Sequence, residues 1–101
     1  MRRLILLSSV VCSALACASP PAISDADVTR GQDQFPGLTR ARLEAGQQTY
    51  STRCGACHEA YHPSSRTPDQ WELAVAQMSE RAGLDRDRQQ LVLEYLTTFA
   101  D

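Results

Sequence analysis

The chain passes through three hydrophobic patterns along its 101 residues. Leu4 to Ala16 is an apolar run behind a basic start, Met1-Arg2-Arg3. From residue 17 to about 38 no apolar period persists, and Pro20, Pro21, Gly31, Pro36 and Gly37 interrupt the chain. That stretch reads as a tether and approach segment, with Phe35 and Leu38 able to pack back onto the domain. From Thr39 onward the spacing becomes helical. Thr39 is a good N-cap, and Leu43, Gln47, Tyr50 and Cys54 share one face of a helix running to about Thr52. Thr67-Pro68-Asp69-Gln70 reads as a helix start, with Thr67 as N-cap, proline at the first position and Gln70 closing a capping box. Trp71, Val75, Met78 and Ala82 then line one face, and Gly83 is a natural stop. A third helix begins at Asp85 and carries Leu91, Val92, Tyr95, Leu96 and Phe99 as one stripe to about Phe99. No alternating strand, hairpin signal or repeat is present, so the expected class is all-α, with about three helices in a domain over residues 39–101.

The first sixteen residues have the form of an export signal. The apolar run is too short to span a bilayer as a mature helix, and small residues follow it. Two cleavage positions compete. A lipoprotein-type cut before Cys17 leaves a diacylated cysteine and a membrane anchor. An ordinary cut after Ala18 leaves a soluble periplasmic protein. The first is favoured, which places the chain on the periplasmic side of a bacterial membrane with residues 17–38 as linker.

About sixty residues rarely bury enough apolar surface to be stable without a staple. Cysteine supplies little help, because Cys12 lies in the signal and Cys17 is the candidate lipid anchor, so only Cys54 and Cys57 remain in the folded part. From residue 17 onward eight arginines and no lysine face twelve carboxylates. That acidic balance argues against nucleic acid as a partner and against a lysine-ringed docking surface.

Cys54-Gly55-Ala56-Cys57-His58 is the string that carries chemistry. C-x-x-C-H reads as a c-type haem attachment site. Two intervening residues let a tight turn present both thiols to the two vinyl groups on one porphyrin edge. His58 is then carried under the ring as an axial iron ligand. One covalent haem c would also provide the apolar object that so small a domain lacks. Two other readings of the motif compete with this one. A thioredoxin-like pair needs a buried strand before the motif, and residues 45–53 are polar and helical instead. A zinc site from Cys54, Cys57, His58 and His62 would be unusually compressed.

Gly46-x-x-x-Tyr50-x-x-x-Cys54-x-x-Cys57-His58, with Leu91, Tyr95 and Leu96 on a terminal helix, resembles the small bacterial class I cytochromes c. The resemblance covers about residues 39–101. It implies that the first and last helices cross closely at Gly46, with Tyr50 one turn later and Tyr95 and Leu96 opposite.

An electron carrier wants a second axial ligand, and methionine opposite histidine raises the potential. His62 comes four residues after His58, a span of at most ~14 Å extended, too little to round the ring with a helical turn included. Met78 is far enough along to cross and is favoured as the sixth ligand, against the reading that it packs with Trp71 and Val75. The resemblance implies a methionine from a loop, whereas Met78 falls within a predicted helix. Arg66 is a possible partner for a haem propionate.

The expected function is single-haem electron transfer in the cell envelope, exchanging electrons with redox protein partners. The chain is not expected to be an enzyme by itself, although it could be a subunit of a larger oxidoreductase. The alternatives are a haem-based sensor with an open iron position and a haem-free thiol oxidoreductase.

Overall fold

The computed structural model describes residues 21–54 and 60–101. Residues 1–16, read above as an export signal, the candidate anchor Cys17, and Cys57 and His58 lie outside the described residues. Four helices and no strand occur among those described: α1 (Asp25–Gln32), α2 (Arg40–Thr49), α3 (Pro68–Met78) and α4 (Arg86–Thr98). The all-α expectation holds.

Local chemistry starts each helix. The Thr39 hydroxyl accepts from the Arg42 amide at the head of α2. Thr67 and Gln70 form the capping box of α3 reciprocally, at 3.3 and 3.0 Å, with Pro68 at the first position. Asp85 accepts from the Arg88 amide at 2.8 Å to open α4. After α3 the chain turns through Gly83, whose φ of +67° suits glycine.

α1 stands where the sequence pattern reads as linker. Ser24 and Asp27 cap it with a box of their own. Its eight residues hold few apolar side chains, so no amphipathic period announces it. The anchoring falls instead to its flanks, where Ile23 and Leu38 are buried against Leu43, with Val28, Phe35 and Phe99 packed around them. Arg30 Nε donates to the Thr98 carbonyl at 3.0 Å and so occupies an acceptor at the end of α4.

The main core joins α2, α3 and α4 through Tyr50, Trp71, Val75, Val92, Tyr95 and Leu96. α2 and α4 cross at Gly46. A Cβ there would lie 2.8 Å from Tyr95 Cβ and 2.9 Å from the Leu91 carbonyl carbon, and closer still to that carbonyl's oxygen. No side chain fits this contact, and the crossing implied by the resemblance is present. A second tie is the Arg42–Glu94 pair, in which Arg42 Nε lies 3.1 and 3.0 Å from the two Glu94 oxygens. The Glu94 side chain is only 9% exposed, so this pair sits close to the core.

Candidate functional site

α2 does not end as an α-helix. Residues Tyr50–Cys54 continue it as one π-helical turn. Such turns carry a wider i→i+5 hydrogen-bond register and often occur at functional sites. The turn begins on buried Tyr50 and ends on half-buried Cys54, which packs against the main core. The Cys54 side chain thereby enters the wall of a cavity of about 470 Å³. That volume lies in the ordinary range of cofactor sites, about 300–1,000 Å³.

The main core supplies the cavity's apolar wall through Tyr50, Trp71, Val75, Val92 and Leu96. Two hydrogen bonds hold the aromatic part in place. Trp71 Nε1 donates to the Pro63 carbonyl at 2.7 Å, and the Tyr50 hydroxyl donates to the Tyr61 carbonyl at 2.5 Å. Both tie residues 61–63, just after the motif, to the helices. Tyr50 and Trp71 also meet edge to face, with ring centroids 6.0 Å apart.

Electrostatics divides the lining sharply. Its charged members among the described residues are Arg53, Arg66 and Arg81, with no carboxylate. The Arg66 guanidinium lies 5.1 Å from the ring centroids of both Tyr61 and Trp71, held by cation–π attraction. Burial pushes the Tyr50 phenol up to about 12 and also raises the Cys54 thiol. A raised thiol is the opposite of what a nucleophilic CxxC cysteine requires.

Met78 lies at the end of α3 and lines the same cavity, yet 48% of it is exposed. Trp71 and Val75, on the same face of α3, are buried at 4% and 6%. Simple core packing therefore does not describe Met78. His62 is exposed and caps a short 3₁₀ turn over Pro63–Ser65. Its Nδ1 faces Ser64, 3.1 Å from the amide and 2.7 Å from the hydroxyl. Sequence reasoning missed Arg53 and Arg81 as lining residues. Their neighbours, Cys54 in sequence and Met78 one turn earlier, are the only signal that could have found them.

The cavity thus offers an apolar wall with a thiol in it, a thioether at its edge and cations around it. These features suit a flat apolar macrocycle bearing two carboxylates. A family model described as dihaem cytochrome c matches residues 50–101, about half of the chain. The chain belongs to the dihaem cytochrome c family. No curated protein and no solved structure matches it. As a c-type cytochrome it carries haem c and works by haem-based electron transfer. The resemblance to single-haem class I cytochromes is corrected to the dihaem family. A CxxCH string marks one attachment site and says nothing about how many haems the family carries.

Proposed function

We propose that this dihaem-family cytochrome c is an electron carrier whose 101 residues hold one covalent haem, since they contain a single CxxCH. Cys54 and Cys57 would form the thioethers and His58 would be one axial ligand. Met78 would be the other. The observation that carries the reading is Cys54 set in the wall of a core-lined cavity, within the segment that matches the family. When bound, the haem supplies a one-electron couple between Fe(II) and Fe(III).

The chain's own residues account for the rest. Tyr50, Trp71, Val75, Val92 and Leu96 exclude water from one side of the site. Arg66, stacked on two rings, presents a fixed guanidinium suited to a propionate. Met78 keeps its thioether accessible at the cavity edge, while exposed His62 does not line the cavity. Both observations support methionine over His62 as the sixth ligand. Export by the residue 1–16 signal, a lipid on Cys17 and a periplasmic setting complete the proposal, with redox proteins as partners and membership of a larger oxidoreductase open to the same chain. The haem-free thiol reading is disfavoured by the match to a dihaem cytochrome c family.

A pyridine haemochrome spectrum of the matured protein, run beside its intact mass, tests this. The expected result is one haem c per chain and the mass of a diacylated Cys17. A colourless protein, or a second covalent haem on these residues, would refute it. Carbon monoxide binding by the reduced protein would favour the sensor instead.

A further inference from the structure

The described residues include eight arginines, and they divide by location. Arg30, Arg40, Arg42 and Arg88 each pair with a carboxylate. Arg53, Arg66, Arg81 and Arg86 pair with none among the described residues. Three of these four line the cavity, and among the described residues no carboxylate lines it. The segregation occurs in an acidic chain, whose formal charge of −2 becomes −4 once Arg2 and Arg3 leave with the signal.

Arg66 is half-buried and clamped on aromatic rings, which suits the cofactor's own carboxylates. Arg53 and Arg81 differ: both are exposed, and they come from separate elements. Arg53 leaves the π turn and reaches the turn after α3, where its Nη1 lies 3.8 Å from the position a Gly83 Cβ would take. Arg81 is on that same turn. Glu80 and Asp85 are exposed nearby, yet neither comes within ion-pair distance of either guanidinium. Two like charges placed on one rim, with no counter-charge in reach among the described residues, are suited to an anion that arrives from outside.

We propose that the rim carrying Arg53 and Arg81 is the docking surface for an acidic redox protein, and that electrons cross at this mouth. The proposal rests on the haem reading above and names the partner class for it. Side-chain carboxylates of the partner would pair with the two guanidinium forks. One electron passes from the reduced chain to the partner's oxidised centre, with no bond formed or broken and no proton moved. The patch orients an encounter that net charge alone would oppose.

Hexacyanoferrate(III) serves as an anionic probe of this field. Reduced, haem-loaded full chain is mixed with it between about 0.01 and 0.1 M ionic strength, where the Debye length shrinks from ~30 to ~10 Å. The second-order rate should fall by about tenfold as salt rises, the lower end of steering by charged clefts. Arg81→Gln and Arg53→Gln should each flatten that dependence, whereas Arg86→Gln, outside the lining, should preserve it. Poly-glutamate, as an acidic polypeptide, should slow the wild-type reaction and leave the double variant unaffected. Arg81→Gln alone carries the test should Arg53→Gln impair haem attachment beside Cys54. A rate that rises with salt, or a slope indifferent to Arg81→Gln, would overturn the proposal. So would vesicles of anionic lipid that capture the wild type and not the variant, because the patch would then serve a membrane. A colourless product would instead sink the haem reading itself, and is distinguished by its absorption before mixing.

Discussion

Replacing Gly46 with alanine puts a methyl group where α2 and α4 touch. The new Cβ would stand 2.8 Å from Tyr95 Cβ and 2.9 Å from the Leu91 carbonyl carbon. Carbon atoms prefer ~3.5–4.0 Å, so the Tyr95 contact alone parts the helices by ~0.7 Å, and the closer Leu91 oxygen demands more. Little can yield. The obstacle includes backbone of a thirteen-residue helix, and Val92, Tyr95 and Leu96 behind it are buried at 1%, 7% and 1%. Overpacking of this kind costs ~1–3 kcal/mol, and a backbone obstacle places it at the top of that range. Alanine returns about 1 kcal/mol through its better helix propensity. The net loss is about 2 kcal/mol, or ~8–16 °C in Tm for a domain this small. The damage should also reach the site, because α2 leads directly into the turn that carries Cys54. Far-UV circular dichroism of haem-loaded wild type and Gly46→Ala, melted side by side, measures the difference. A variant as stable as the wild type would refute the claim that this crossing has no room for a side chain.

Arg42→Ala leaves the largely buried Glu94 carboxylate without its partner, at a cost of ~1–3 kcal/mol in urea denaturation. Adding Glu94→Gln should recover part of that loss. The neutral Tyr50 phenol is favoured in the fold, so its contribution is intact below its ordinary pKa of 10.0 and is lost as pH climbs toward about 12. Stability measured from pH 9 to pH 12 should therefore decline less steeply in Tyr50→Phe, with a remaining slope from Tyr95, which burial also raises. Met78→Ala should abolish the weak sulfur-to-iron absorption band of the oxidised holoprotein and open the reduced form to carbon monoxide; an unchanged spectrum would remove Met78 from the iron.

Where local chemistry announces an element, the sequence is a good guide. Thr67, Pro68 and Gln70 mark the start of α3 to the residue, and Asp85 does the same for α4. α1 escaped because its helix is short and its main apolar anchors, Ile23 and Leu38, flank it. The π turn escaped for another reason. It is a shift in hydrogen-bond register, with no residue type that signals it, so Tyr50–Cys54 reads as ordinary helix. Met78 shares the face of Trp71 and Val75 by period, yet α3 ends there and 48% of it remains exposed. Period predicts a face; it does not predict whether a neighbour covers it. The c-type cytochrome family was legible in the motif, whereas the family's haem number was not, because that depends on more than one local string. The cavity arginines are scattered from residue 53 to residue 81, and only the fold brings them together.

Trp71 is the only tryptophan in the chain, and its ring forms part of the cavity wall. An indole beside a strongly absorbing chromophore passes its excitation to that neighbour and emits little light. The native holoprotein should accordingly be almost dark in ultraviolet fluorescence. Unfolding, which carries the indole away from the thioether-bound pigment, should brighten it, so the molecule contains its own optical gauge of whether the domain is closed.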